Sequence, residues 1–575
     1  MKKIVFNFIL VFAFFSYSQA LYSQAQKENQ AEAVEEEIEL PDVTTVINGK
    51  TFTAGKDSVP DYTKILPENS APEVQLPEME GVKIPKNLPE NIERSVQKEK
   101  DIYASGELGA GYPFYFKGDF SIYRASGNSP FEIDFNHESA EGFAREKSNE
   151  GYFERSTLVK GKKSLFGEIS NHRVQAEYKM TDDGLQLKSD SYSDMVKHTI
   201  YADAGSDWDF SNGLLLSYGA DGAWFNRYGQ VMKDSLVAEN FLDSTKILDL
   251  NPYAGFGWAD YGFKAMFTAS YGFQGNLGGE DNLLKIQSSS SDEYSHRGQF
   301  KLDLSWENDF MMLGADGAVI VGSAIGEKNV LPAFTAKADF QTDYFTDDRF
   351  VTLSLKGGLD SYQAKIRELE NKYKFAVSPV IPTETSDWFA KMDLLVPILS
   401  AFEVKSEFEF RKTAFENGVW QVKYKEAFPF DADFTSGLAN QFGLYAIESV
   451  ERTEVNTVFA FNADFAPFKA GIEWKSFWKD LPSLEDEQKI ALRFEYQSAD
   501  AKWNAGTSAA FAFGEDADKC PDLSLWTGCR LAPALSLAFE VNDVIKLLGG
   551  KSRDYAHSEF ITTSGNAVLL VKFHF

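Results

Sequence analysis

Asn566-Ala567-Val568-Leu569-Leu570-Val571-Lys572-Phe573-His574-Phe575 is the stretch that decides the fold. Apolar side chains occupy one face of it, whereas Lys572 and His574 lie on the other, so the pattern has the two-residue period of a β-strand. The apolar face comprises Ala567, Leu569, Val571, Phe573 and Phe575. One face is suited to lipid and the other to water, which is typical of a strand in a transmembrane β-barrel.

The same alternation recurs from Ile102 onward. Phe300, Leu302, Leu304 and Trp306 alternate with Gln299, Lys301, Asp303 and Ser305, and similar patterns occupy 402–411 and 490–496. Aromatic residues make up 14% of the chain and charged residues 25%, with a mean hydropathy of -0.31. Alternating strands accommodate both classes because each class takes its own face. We therefore predict an all-β protein, an antiparallel transmembrane barrel.

Two kinds of connection separate the alternating segments, and they occur in turn. Short turns lie at Trp258–Tyr261, Trp306–Asp309, Pro397–Ala401, Asp464–Phe468, Ser498–Lys502 and Leu531–Ala534. Longer polar loops lie at 227–244, 276–291, 364–385, 414–450, 478–486 and 543–563. Outer-membrane barrels have short periplasmic turns and longer external loops, so this order predicts which end faces the periplasm.

The alternation of turns and loops divides the chain into about 22 predicted strands. They begin near residues 101, 114, 130, 151, 165, 195, 211, 245, 260, 292, 309, 329, 349, 386, 400, 451, 467, 487, 501, 520, 534 and 564. An even number places both termini in the periplasm, as in single-chain bacterial barrels. The segment 414–450 has the least regular pattern.

The residues before the barrel fall into two parts. Met1-Lys2-Lys3, an apolar run from Ile4 to Phe15 and small residues at the end have the order of a secretory signal peptide, which we assign to residues 1–25. Residues 26–100 are acidic and then interrupted by prolines, which forbid ordinary helices and central strands. We predict an extended, partly disordered periplasmic segment there, and the barrel at 101–575. No later apolar run has the roughly 18 residues that a spanning helix needs.

Composition excludes several classes of function. A net charge of -29 is unsuited to nucleic acid, whose phosphates recruit clustered Lys and Arg. No nucleophile, base and acid stand at a recognisable spacing, and the six His residues form no zinc pattern, so we predict no enzyme activity, no cofactor and no metal. The acidic groups Glu515-Asp516-Ala517-Asp518 and Glu280-Asp281 are interpreted as solvated loop carboxylates, with calcium as the alternative.

Cys520 and Cys529 allow two interpretations. If 522–530 is a strand, about 30 Å of extended chain separates the two cysteines, and they do not bond to each other. If that segment is a loop, a small disulfide-closed loop becomes feasible. The strand interpretation is favoured because it preserves the order of turns and loops.

The end of the barrel carries a family resemblance. Pro521 to Leu525, Leu535 to Asp543 and Gly565 to Phe575 resemble the last three strands of TonB-dependent receptor barrels, and Gly106 to Tyr112 with Asn136 to Ser139 resembles plug-less members of that group. The terminal Phe resembles the signal that the barrel assembly machinery recognises, which implies that role for Leu569, Val571, Phe573 and Phe575. The resemblance covers about 101–575 and implies partners in outer-membrane lipid and the assembly machinery.

The sequence departs from that family before the barrel. The segment ahead of Ile102 leaves no room for a globular plug of usual size, so we expect the plug to be absent. Asp42-Val43-Thr44-Thr45-Val46 is faintly similar to a TonB box, the short segment through which such receptors are energised. Because the expected plug does not follow this segment, energised uptake is not predicted.

Two functions remain open. The first is solute binding and transport, or a channel component, across a Gram-negative-type outer membrane, with the wide lumen filled by the N-terminal segment, by infolded loops or by a periplasmic partner. The second is a structural barrel that anchors a surface lipoprotein or a periplasmic complex. A soluble, secreted β protein is a third interpretation.

Overall fold

Twenty-two alternating segments pair edge to edge and close into one antiparallel barrel, so no barrel strand has a free edge. The structure is a computed structural model. It describes residues 44–47, 50–53, 102–125, 127–143, 146–189, 192–230, 245–278, 293–325, 330–343, 350–398, 401–415, 417–422, 424, 444–515, 517–556, 558–563 and 565–575.

The first two strands form a separate small hairpin. β1 (Thr44–Ile47) and β2 (Lys50–Thr53) pair antiparallel. The predicted signal peptide and most of the predicted periplasmic segment lie outside the described residues. Among the residues described, no helix has the length and apolar character that a membrane crossing requires.

The barrel strands follow in chain order. The first eleven are β3 Tyr103–Tyr112, β4 Tyr115–Arg124, β5 Phe131–Glu141, β6 Phe153–Phe166, β7 Ser170–Gly184, β8 Asp194–Asp209, β9 Leu214–Tyr228, β10 Thr245–Asp260, β11 Phe263–Asn276, β12 Tyr294–Glu307 and β13 Met311–Val321. The other eleven are β14 Val330–Asp343, β15 Phe350–Gln363, β17 Glu384–Ile398, β18 Phe402–Thr413, β21 Thr453–Phe465, β22 Phe468–Lys479, β23 Gln488–Gln497, β24 Trp503–Phe513, β25 Asp522–Ala532, β26 Leu535–Asn542 and β29 Asn566–His574.

The remaining elements lie in the connections. They are the strands β16 Ala376–Val377, β19 Val419–Val422, β20 Tyr445–Val450, β27 Arg553–Asp554 and β28 Ile561–Thr562, and the helices α1 Ile366–Lys372 and α2 Val544–Gly549. Single 3-10 turns occupy Ser148–Glu150 and Ser323–Ile325. Strands β16, β20 and β19 form a three-stranded sheet, so 364–385 and 414–450 are not the plain polar loops that the sequence predicts.

The predicted barrel is confirmed strand by strand. The largest error in a strand start is at β7, which begins at Ser170 rather than near residue 165 because β6 continues to Phe166. The last strand, β29, pairs with β26 on one side and with the first barrel strand, β3, on the other. Both ends of the barrel sequence therefore meet at the end with the short turns.

The two faces of each strand differ as the alternation predicts. On β10, Leu250, Phe256 and Trp258 point outward and are 44–60% exposed, whereas Thr245 and Asp249 point into the lumen and are buried. Segment 522–530 is strand and both cysteines are free, which confirms the strand interpretation.

Candidate functional site

Four long connections converge on one another at the end of the barrel opposite the start of β3 and the end of β29. They are the described parts of 185–193, 364–383, 414–452 and 543–565, which we call the cap. Gln186 and Ile561 exchange two hydrogen bonds, of 2.7 and 2.9 Å. Trp420 Nε1 donates to the Thr383 carbonyl at 3.0 Å. Because these connections leave the ring at four separate places, their meeting spans the mouth.

The interior of the cap is an apolar, aromatic-rich cluster. Phe375 and Phe560 stack with ring centroids 3.9 Å apart, and both are fully buried. The Tyr424 hydroxyl donates to the Lys374 carbonyl at 2.6 Å, and burial raises the pKa of Tyr424 above its ordinary value. The cluster contains Leu185, Tyr192, Met195, Leu369, Tyr373, Phe375, Ala376, Val377, Trp420, Val422, Tyr424, Leu444, Tyr445, Ile447 and Phe560. The connections thus share one core, which makes the cap a folded unit.

Helix α1 fixes this core to the lumen wall. Ile366 packs in an apolar cluster with Phe225 of β9 and Ile247 of β10. These wall residues share the inward face with Asp249 and Thr245, because side chains two apart on a strand point the same way. Helix α1 therefore lies inside the lumen, against strands distant in the ring from β15 and β17, which carry it.

A buried ion pair joins α1 to the wall. The Glu370 carboxylate accepts from Arg227 Nη1 at 2.5 Å, and neither side chain is exposed to solvent. The same carboxylate accepts from the Ser378 backbone N–H at 2.9 Å. Lys197 of β8 donates to the Glu370 carbonyl. Breaking such a pair on one side leaves an uncompensated buried charge, so loss of either partner should weaken the attachment of the cap.

Further charged contacts surround this tether. Arg367 Nε donates to Asp249 at 3.1 Å, and burial lowers the pKa of Lys365 beside it. Lys374 donates to Glu154 of β6 at 2.5 Å and lies 3.8 Å from Asp183 of β7. Burial disfavours the charge on Lys374, but these two carboxylates outweigh burial and raise its pKa above the ordinary value. Lys374 therefore stays charged at neutral pH.

The hairpin of β15 and β17, which carries α1, bends away from the barrel wall at Gly358. Strand β15 pairs with β14 only as far as Leu359, while β14 continues beyond that point in its pairing with β13. Gly358 has φ +155°, and a Cβ there would meet the Phe334 carbonyl oxygen at 2.0 Å. Beyond the bend, Arg297 Nε of β12 donates to Glu384 at 3.0 Å. The hairpin thus leans into the lumen over β12.

Below the cap the lumen wall is polar and charged. A cavity of about 810 Å³ lies against β18 and β21–β24. Its lining includes Lys405, Glu473, Lys489, Arg493 and Glu495. Charges of both signs make this part of the wall suited to water and to polar solutes.

None of the residues singled out as an assembly signal or as a TonB-box-like segment belongs to the four connections of the cap. Leu569, Val571 and Phe573 are on the outward face of β29, and Phe573 packs on Phe120 of β4 with centroids 5.6 Å apart. Thr44, Thr45 and Val46 belong to β1, and Asp42 and Val43 lie outside the described residues.

The acidic loop groups show no metal site among the described residues. Asp518 pairs with Lys546, while Asp516, Glu280 and Asp281 lie outside the described residues. Sequence reasoning missed Arg227, Glu370 and Lys374. The helical spacing of Ile366, Leu369 and Glu370 inside a segment predicted to be loop was the only available signal.

Comparison with solved structures places the barrel among known folds. The FrpB iron transporter from Neisseria meningitidis aligns with a TM-score of 0.59 at 8% identity, covering 83% of this chain and 81% of that chain. The copper transporter OprC gives 0.56 at 11% identity, with 82% and 81% covered. A mutant of the ferric enterobactin receptor PfeA from Pseudomonas aeruginosa gives 0.55 at 9% identity, with 83% and 80% covered.

These likenesses are of fold. No protein-family model matches the sequence, and no curated protein sequence matches it. The barrel has the 22-stranded fold of TonB-dependent receptors, which confirms the architecture that the resemblance implies.

Proposed function

We propose that this protein is an outer-membrane transport barrel whose own loops close its outer mouth. The observation that carries the proposal is the cap, which has its own apolar core and is tethered to the lumen wall by the buried Arg227–Glu370 pair. A wide barrel needs a filling to prevent leakage. The neighbours in fold are named as iron, copper and enterobactin transporters or receptors, which supports a role in transport rather than catalysis.

The membrane location rests on the outward face. Large apolar side chains such as Phe256, Phe300 and Leu569 are half exposed there, which water would oppose and acyl chains would favour. We place the barrel in an outer membrane with both termini periplasmic and the cap external. Leu569, Val571, Phe573 and Phe575 would then serve the assembly machinery, and deletion of Phe575 should lower the amount of barrel in the membrane.

In this proposal the cap takes the place of a plug domain. Its contacts approach the lumen wall from the loop end, whereas the lower wall carries the charged cavity. Solute passage then requires the cap to detach from the wall. The segment Asp42–Val46 has no assigned part in this step.

Planar bilayer recordings test the proposal. The full-length protein should show little conductance, while replacement of residues 366–381 by a short Gly-Ser linker should produce a large, stable pore. The control replaces the turn Ser323–Ile325 by Gly-Ser-Gly and should remain closed, because Ile325 packs with Ile320 and Leu331 rather than in the core of the cap. A large conductance from the intact chain, or no conductance after removal of 366–381, would refute the capped-channel proposal.

The anchoring function is the alternative outcome of the same experiment. Removal of 366–381 would then give no solute flux, and a stoichiometric surface lipoprotein or periplasmic protein would co-purify with the intact barrel. No described residue cluster favours a particular partner, so transport is the function that we propose.

A further inference from the structure

Three lysines lie side by side on the lumen wall below the bend of the cap hairpin. Lys337 of β14 is directly opposite Lys356 of β15, and Lys356 is directly opposite Lys391 of β17. The Cβ atoms of directly opposed residues lie about 4.5–5.5 Å apart. One row of the wall thus presents three ammonium groups from three successive strands.

This row faces the lumen. Leu355 and Met392, the sequence neighbours of Lys356 and Lys391, are exposed on the outward apolar face, and successive side chains alternate between faces. Lys391 shares its face with Phe389, which the Lys356 ammonium approaches at 5.4 Å from the ring centroid. The Arg411 guanidinium lies 5.5 Å from the same ring. Arg411 therefore stands beside the row, but its charge is already paired with Glu409 at 2.6 Å, so Lys356 is the member of this group without a carboxylate partner among the described residues.

The middle lysine differs from its neighbours. Lys337 pairs with Asp339 at 2.6 Å, and Lys391 pairs with Asp393 at 3.2 Å. Within the described part of the chain Lys356 has no such ion pair, and it is exposed. Like charges directly opposed across strands are destabilising, so this arrangement lowers the stability of the barrel. Such a cluster of positive charge is unexpected in a protein whose net charge is -29.

We propose that the Lys337–Lys356–Lys391 row is a binding site for a multivalent oxyanion, a solute carrying two or more phosphate or carboxylate groups. Such a solute would supply the counter-charge that Lys356 lacks, and charge-assisted hydrogen bonds to ammonium groups are the strong ones. The site deepens the proposed transport function, on which it rests, by assigning a charge class to the solute.

The position of the row connects it to the cap. Lys356 is two residues before Gly358, where β15 leaves the wall. Arg411, beside the row, lies 3.8 Å from Asp387, and Asp387 belongs to the strand that leads out of the cap, β17. An anion bound at Lys356 therefore sits directly beneath the bend.

Isothermal titration calorimetry on the full-length protein in detergent tests the site. Sodium tripolyphosphate and sodium citrate are titrated separately at low salt, and choline chloride serves as the cationic comparison. At least one oxyanion should bind, and K356Q should weaken that binding by about tenfold or more. The stronger of the two titrations tells whether the site prefers phosphate or carboxylate groups.

Lys301 provides a matched control. It also belongs to the inner wall but pairs with Asp303 at 2.6 Å and Asp316 at 3.6 Å, so K301Q should change oxyanion binding less than twofold. Without ligand, K356Q should raise the unfolding temperature, because repulsion is relieved, whereas K301Q should not.

The proposed site would be refuted if K356Q and the wild type bound an oxyanion equally well, or if the wild type bound neither oxyanion. The bilayer result for the 366–381 deletion is independent of this titration, so failure of the site is distinguishable from failure of transport.

Discussion

Substitution of Glu370 by Gln should loosen the cap without unfolding the barrel. The carboxylate and its partner Arg227 are both fully buried. Removing one member of such a pair costs about 3–5 kcal/mol, because the other charge stays buried and unpaired. When the cap detaches, Arg227 faces the wet lumen and recovers its hydration. The cost therefore falls on the closed state alone.

That difference sets the size of the expected effect. Each 1.4 kcal/mol is about a factor of ten in an equilibrium constant. A cost of about 3–5 kcal/mol therefore lowers the closed-to-open ratio by roughly a hundredfold to a few thousandfold. Single-channel recording in planar bilayers measures this ratio as the open probability. The double substitution R227M/E370L should restore closure, since replacing both charges by apolar groups is about neutral.

Glu368 supplies the control on the same helix. Its side chain is 55% exposed and pairs with Arg367 at 2.9 Å, and an exposed pair of this kind contributes about 0–1 kcal/mol. E368Q should therefore open little more often than the wild type. If E370Q matched E368Q while deletion of 366–381 opened the pore, the Arg227–Glu370 tether would not be what holds the cap closed.

Three further changes test other parts of the molecule. G358A should lower the unfolding temperature and raise the open probability, because its Cβ meets the Phe334 carbonyl oxygen, whereas G317A, whose Cβ meets nothing within 4 Å, should do neither. The pKa of Lys374 is raised on folding, so its stabilising contribution is complete below its unfolded pKa of about 10.4 and is lost only as pH rises through the higher folded value. This group should therefore leave the open probability unchanged from pH 6 to 9 and should raise it in strongly alkaline solution. K374M should abolish that alkaline rise. The free cysteines Cys520 and Cys529 should both be alkylated in denaturant without prior reduction; a mass lower by two hydrogens would instead reveal a disulfide.

The barrel could be predicted because each strand carries its own alternation of apolar and polar side chains. On every strand the choice between lipid and water repeats with a period of two residues, so Phe300, Leu302 and Leu304 identify their own face without knowledge of their partners. The order of short turns and long loops then fixes the direction of each strand. Both regularities survive small errors in boundaries, such as the one at Ser170.

The cap could not be predicted in the same way because its contacts are not periodic. Arg227 and Glu370 are separated by 143 positions, and Gln186 and Ile561 by 375. The helical spacing of Glu370 with Ile366 and Leu369 does not by itself distinguish a buried carboxylate from a solvated one. Infolded loops are one of three fillings that the sequence leaves open, and the contacts of α1 with the wall show that one loop does enter the lumen.

The apolar and the charged contacts of the cap lie in different places, and this difference indicates how the cap should move. Its interior is a large apolar cluster with Phe375 stacked on Phe560. Its junction with the wall combines a small apolar cluster around Ile366 with the ion pairs of Glu370, Arg367 and Lys374. Exposing apolar area costs about 25 cal/mol per Å², and water cannot compensate for that loss. Charged partners that separate into a wet lumen regain hydration. The cap should therefore detach from the wall as a unit, with its aromatic core intact, rather than open by separation of its four connections.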